Sequence, residues 1–372
     1  MRRRSADGRA PAAFLWQTLI LVAVLAGAAA LVLNTLDNLA ARGISSGFGF
    51  LEDAAGFGVT MSLIPFDETA SFARAFAVGL LNTLLVSVLG VVLATVLGVA
   101  VGLARLSPNW LLARIAGAYV ETLRNIPLLL QIFFWYFAVL RTLPAPRGSY
   151  ALGEIAFLNN RGLYLAWPEA GAGWALAAGL CAAVAAVWSL CRGRRGPAVG
   201  AALVAIAALG WVFGAAAWDR PQLAGFNFRG GVTLIPEFVA LVVALSTYTA
   251  AFIAEIVRAG VQAVPKGQVE AADALGLNPA QKLRFVIAPQ ALRVIVPPLT
   301  SQYLNLTKNS SLAAAIAYPD LVSVFAGTVL NITGQAIEVI AITMAVYLSI
   351  SLGIAGLMGG YNRTVALRGA AS

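Results

Sequence analysis

The chain reads as an all-α integral membrane protein, on three observations. Of its 372 residues 60% are hydrophobic and only 11% are charged, with a mean hydropathy of +0.84; no soluble core buries that proportion of apolar surface. Apolar runs long enough to cross a bilayer recur along it, about eight of them at about 20 residues each. Arginine clusters fall between alternate runs, the pattern by which a multi-pass protein places basic connections in the cytoplasm.

The net charge of +9 is scattered over the ends of the runs, so it serves orientation and not nucleic-acid binding. Histidine is absent, which removes His-ligated metal, haem and His-based acid–base catalysis. Cys181 and Cys191 share one apolar run, which suits neither a disulfide framework nor a zinc site. No phosphate-binding G-x-x-x-x-G-K-[ST] loop occurs. The expectation is a protein with no catalytic residues, no metal and no cofactor.

Residues 14–36 form the first run, preceded by Arg2, Arg3, Arg4 and Arg9, which place the N-terminus inside. Residues 37–75 are Gly-rich and mildly acidic and belong outside. The second and third spans are 76–103 and 118–140, with Arg105 and Arg114 between them. Residues 142–173 return outside, and two Ala-rich spans follow at 174–191 and 198–217, joined by a basic turn, Arg192 to Arg195. After 219–231 outside come the sixth span at 235–257, a long soluble-looking insertion at 258–293, the seventh span at 294–316 and the eighth at 336–357. Residues 320–334 are too short and polar to span, which predicts a part-inserted external helix. The chain thus divides into 1–75 (tail, first helix, external segment), 76–140, an inserted 141–234 with two extra helices, 235–358, and a cytoplasmic tail, 359–372.

The insertion predicts two short helices with a sharp bend. Pro265 suits a first turn, where its missing N–H costs nothing. Val269, Ala272 and Leu275 then lie at i, i+3 and i+6 on one face. Gly276 is placed for a left-handed helix end. Asn278 is an N-cap and Pro279 a first helical residue of the second helix, with Leu283, Val286 and Ile287 inward, Lys282 and Arg284 outward, and Pro289 as its breaker. A hairpin with a small, semi-apolar bend suits a groove on another protein. An ordered loop packing on its own chain is the alternative from the local pattern alone.

Glu270-Ala271-Ala272, then Gly276 after three residues, then Val286 and Pro289, with Ala288 where Leu is usual, resemble the EAA loop of ABC-importer permeases. The approach Glu255-Ile256-Val257-Arg258-Ala259-Gly260, then Gly267-Gln268, is similar to the branch that imports amino acids. The resemblance covers the second, third, sixth, seventh and eighth spans, and the added helices are similar to those of general L-amino-acid permeases. It implies a five-helix permease core, with Glu270, Ala271, Ala272, Gly276 and Pro289 in a coupling helix that docks in an ATPase subunit. It further implies a bacterial inner-membrane protein that performs no bond chemistry itself. Its expected partners are a second permease in a heterodimer, two ATP-binding subunits, a periplasmic amino-acid-binding protein and membrane lipid.

Polar residues inside spans require a partner, because an unpaired polar group in hydrocarbon costs several kcal/mol. Ser301, Asn305 and Lys308 recur at i, i+4 and i+7 with Asn309 alongside, after Pro297 and Pro298. The stripe either faces a partner subunit as polar glue or lines a substrate route. The similarity of Lys308-Asn309-Ser310-Ser311-Leu312 to a segment of amino-acid permeases favours the route. Glu121, Arg124, Leu128, Gln131 and Trp135 fall close to one helix face interrupted by Pro127. They suggest a structural Glu121–Arg124 pair and Gln131 as a gate or route residue. An ion-coupled secondary transporter would require an intramembrane carboxylate relay, whereas Glu121, Glu237, Glu255 and Glu338 fall near span ends. A membrane anchor for an enzyme complex is the other alternative, and lack of histidine disfavours its haem-bearing form.

Overall fold

A computed structural model describes residues 9–41, 47–168, 195–214 and 218–367, with scattered positions between 175 and 189. The described helices are α1 (Arg9–Ala41), α2 (Phe72–Ala104), α3 (Trp110–Asn125), α4 (Leu128–Phe133), α5 (Arg195–Gly214), α6 (Pro236–Gln262), α7 (Lys266–Ala274), α8 (Pro279–Lys282), α9 (Ala288–Asn309), α10 (Leu330–Thr333) and α11 (Ala336–Leu367). Among the described residues, four stretches are long and apolar enough to cross a membrane: Phe14–Thr35, Phe72–Ala104, Pro236–Gln262 and Ala336–Arg363. The expected fourth span lies largely outside the described residues, and the fifth shows a shorter apolar helix, Val199–Trp211.

The expected third span is broken. α3 and the stretch Leu128–Leu140 meet at 107°. Pro127 supplies no N–H and its ring pushes Ile126 out of the helical region, to φ −94° and ψ 127°. Beyond α4 the chain widens into a π-helix, Phe134–Leu140.

The core is the seam between α2 and α6. Lipid is as apolar as leucine, so burial does not drive helices together in a membrane and close van der Waals packing must. Gly98 and Gly102 provide it: a Cβ on Gly98 would lie 2.6 Å from Ile253 Cβ, and one on Gly102 would lie 2.7 Å from the Ala254 carbonyl oxygen. Ile253 and Ala254 are in turn fully buried. α9 packs on the same α6 and on α11. The apolar stretch of α1 is exposed along its whole length.

The polar segment after α9 is short and helical, as its composition predicts, with a π-helical turn Val322–Val329 running into α10. Its N-terminus is held against α2 by side chains. Thr83 Oγ1 accepts from Leu321 N at 3.0 Å, Asp320 Oδ1 accepts from Ser323 N at 2.8 Å, and Asn82 Nδ2 donates to the Pro319 carbonyl at 2.8 Å.

The inserted region adds strands to an otherwise helical chain. β1 (Tyr150–Leu152), β2 (Ala156–Asn159), β3 (Gly162–Leu165) and β8 (Val232–Leu234) form an antiparallel sheet in that order. β4 (Trp167–Pro168) pairs with β5 (Trp218–Asp219), and β6 (Gln222–Ala224) with β7 (Asn227–Arg229). Phe228 sits 4.6 Å from Phe157 and 5.0 Å from Tyr164, ring centre to ring centre. The Tyr164 hydroxyl donates to Asn227 Oδ1 at 2.7 Å. β8 leads directly into Pro236, the first residue of α6.

Candidate functional site: the hairpin and the polar helix it continues

The hairpin is built by local rules. α7 starts after Pro265, and its end carries the paired hydrogen bonds of a left-handed helix stop. Leu277 N donates to the Ala272 carbonyl at 3.1 Å and Gly276 N to that of Asp273 at 2.9 Å. Gly276 has φ +71°, and a Cβ added there would have no atom within 4 Å. Asn278 and Gln281 then form a reciprocal capping box, Asn278 Oδ1 accepting from Gln281 N at 2.9 Å and Gln281 Oε1 accepting from Asn278 N at 3.0 Å.

Ala272 is buried while Glu270, Ala271 and Gly276 are exposed. The face expected from Val269, Ala272 and Leu275 is therefore split. Val269 packs on the core, whereas Leu275, at the bend, is 79% exposed. Leu283, expected inward, is also exposed, as is Phe285. Lys282, expected outward, instead reaches back to Asp273 Oδ1 at 2.6 Å.

Pro289 does not break the second helix. α8 passes through a π-helical turn, Leu283–Ile287, into α9 without interruption. Pro289 stands in the first turn of α9, where the wider preceding turn accommodates its ring and its missing N–H. The bend of the hairpin thereby leads into one continuous helical run, with Pro297 and Pro298 inside it, that ends at Asn309.

That far end carries the polar stripe. Ser301, Asn305 and Lys308 are exposed in this chain and Asn309 is half-buried. The α-helix stops there and tightens into a 3-10 turn, Ser310–Ile316, ending on Ala317 at φ 57°. Lys308 thus occupies the last turn of α9, where the helix dipole favours a cation. Ser310 leaves the stripe: it is buried, and its hydroxyl donates to the Thr307 carbonyl at 2.8 Å. Ser311 is half-buried and donates to the Lys308 carbonyl at 2.7 Å. Both hydroxyl protons are donated to carbonyls at the helix end.

Gln131, the other expected route residue, is engaged by the backbone through its nitrogen alone: its Oε1 is buried with no hydrogen-bond partner among the described residues. The residue is 5% exposed, and its Nε2 donates to the carbonyls of Leu123 and Ile126, each at 2.9 Å. It caps the end of α3 that Pro127 leaves open. The expected Glu121–Arg124 pair does not form. Arg124 lies over the Phe252 ring at 5.1 Å, and Glu121 lines a polar cavity with Arg105, Arg114 and Arg258.

Two features escaped the sequence reading. Glu255 is gripped by both Arg105, from the end of α2, and Arg258, one turn further along α6. The Glu255/Arg258 half was visible as an i, i+3 spacing, whereas Arg105 lies 150 residues away. Asp320 is a fully buried carboxyl whose Oδ2 has no hydrogen-bond partner among the described residues. It lies at the start of the segment expected to form a part-inserted external helix.

The model of the family described as binding-protein-dependent transport system inner membrane component matches residues 90–363. The chain is 56% identical to the amino-acid ABC transporter permease protein YhdX of Escherichia coli K12, over 95% of this chain and 94% of that one. It is 48% identical to the general L-amino acid transport system permease protein AapQ of Rhizobium johnstonii, over 90% and 87% respectively. It is 43% identical to the glutamate/glutamine/aspartate/asparagine transport system permease protein BztB of Rhodobacter capsulatus, over 95% and 93%.

Proposed function

The chain belongs to the binding-protein-dependent transport system inner membrane components, and from that premise we propose that it forms, with a second permease, the passage of an ATP-driven importer of polar L-amino acids. The names of its relatives support the amino-acid cargo. A soluble binding protein delivers the cargo on the side of the strands, and the hairpin side, with both termini, faces the cytoplasm. ATP is hydrolysed by two separate subunits. Closure of those subunits moves the hairpin as a near-rigid body and re-aims the polar end of α9.

One observation carries this reading: a bend built from Gly276 in the left-handed region and an exposed Leu275 leads into the same helical run that bears Asn305 and Lys308. With Leu283 and Phe285, also exposed, Leu275 gives the hairpin a set of apolar side chains of the kind a partner groove takes. Glu270, Ala271 and Ala272 shape the arm behind the bend, and Pro289 sits where the arm joins α9.

The test is cross-linking from a cysteine at Leu275 in the complex assembled with its ATPase. A bond to the ATPase in the intact complex is expected. Exclusive cross-linking within this chain would sink the docking role.

A further inference from the structure

We propose that the cavity bounded by Arg105, Arg114 and Arg258, at the hairpin end of the bundle, binds a phosphoryl group, supplied by an anionic phospholipid headgroup or by soluble phosphate. The cavity measures about 330 Å³, at the low end of the range for small-molecule sites.

Its charge balance fits one anion. Three guanidinium groups stand against two carboxylates: Glu121 in the wall and Glu255 behind it, gripped by both Arg105 and Arg258. Three positive charges less two negative leaves one, equal and opposite to the single charge of a phosphodiester. Arg105 and Arg258 are fixed in place by Glu255, and Arg258 also donates to Gln262 Oε1 at 2.5 Å, so the donors left for an anion are those of Arg105 that Glu255 does not take and those of Arg114, which has no carboxylate within 4.0 Å among the described residues. Guanidinium groups are the side chains best matched to phosphate oxygens.

The surroundings place this cavity where a headgroup would lie. Arg114 sits one helical turn after Trp110, which opens α3 and is 75% exposed, with Leu111 and Ile115 exposed beside it. An exposed tryptophan flanked by aliphatic side chains is the composition of a membrane–water boundary, and Arg114, itself exposed, lines the cavity beside it. The floor is open because Gly117, in the next turn of α3, has no atom within 4 Å of where its Cβ would be.

Two variants separate charge from space. Arg114→Gln removes a cation that holds no ion pair among the described residues, and Gly117→Leu puts a side chain into the open space at its Cβ and favours the helix. The full chain is purified in neutral detergent, and ligand retention is read by native mass spectrometry beside the thermal unfolding midpoint. The probes are phosphatidylglycerol, phosphatidylcholine and inorganic phosphate. Phosphatidylglycerol, and not phosphatidylcholine, should be retained and should raise the midpoint. Each variant should cut that retention about tenfold, the loss expected for one charge-assisted contact, with its midpoint in neutral detergent unchanged. If inorganic phosphate alone gives the variant-sensitive shift, the site stands and its source is soluble. Retention of phosphatidylglycerol equal in wild type and both variants, with no phosphate effect, would overturn the proposal.

Discussion

Lys282 Nζ lies 2.6 Å from Asp273 Oδ1, so a salt bridge ties the two arms of the hairpin across its bend. The carboxylate is half exposed, and such pairs are worth about 0.2–1 kcal/mol. The local caps at Gly276 and Asn278 fix the bend itself. Asp273→Ala should therefore leave the hairpin formed but loosen one arm against the other. Hydrogen exchange on the intact complex should show faster exchange across 266–282 by no more than about fivefold, with uptake within about twofold of wild type.

Gly98 is one of two glycines that let α2 lie close against α6. Its would-be Cβ falls 2.6 Å from Ile253 Cβ, on a fully buried side chain that has nowhere to move. Gly98→Ala should destabilise by about 1–3 kcal/mol through overpacking. A lowered thermal midpoint and a lower yield of folded chain are expected. An unchanged midpoint would mean that the seam is not packed as described.

Gln131 and Lys308 should separate cleanly. Gln131→Leu strands the carbonyls of Leu123 and Ile126 at the open end of α3, a cost of about 1–3 kcal/mol. It should lower stability without changing which substrates compete for uptake. Lys308→Met removes an exposed charge and should leave the midpoint unchanged or higher. Uptake of acidic and amide amino acids should fall about tenfold, the loss expected for one charged contact. A change in substrate preference for Gln131→Leu would return that residue to the route.

Much of this architecture was legible locally. The stop at Gly276 and the cap at Asn278 depend on neighbours within a few residues, so sequence alone located them; the reciprocal bond from Gln281 was not read there. Pro289 was misread because the π-helical turn that precedes it, Leu283–Ile287, leaves no mark in the local residue pattern. The capping role of Gln131 was not visible because its acceptors, Leu123 and Ile126, are offered only once the helix breaks at Pro127. The strands were missed because they run to four residues at most, too short for a period-two pattern to show. The pairing of Arg105 with Glu255 joins segments 150 residues apart, beyond any spacing rule.

The side assignment has its own test. Leu152, in β1, and Gln268, in α7, are both exposed and lie on the two sides of the proposed membrane. In intact cells an impermeant thiol reagent should label Leu152→Cys and leave Gln268→Cys untouched until lysis. Labelling of Gln268→Cys before lysis would reverse the topology.

The central claim is that the bend at Gly276 docks in an ATPase. Asp and Asn both tolerate the left-handed region, at a strain of about 1 kcal/mol, and the space around this position is open. Gly276→Asp and Gly276→Asn should therefore both fold and insert. Only the aspartate would bury an unpaired charge in the partner groove, at a cost of several kcal/mol. Uptake and ATP turnover are measured together in proteoliposomes holding the complete complex. The expected result is uptake lost at least tenfold for Gly276→Asp, with ATPase docking or substrate-stimulated turnover lost alongside, and Gly276→Asn close to wild type. Wild-type uptake and wild-type docking for Gly276→Asp would contradict the account.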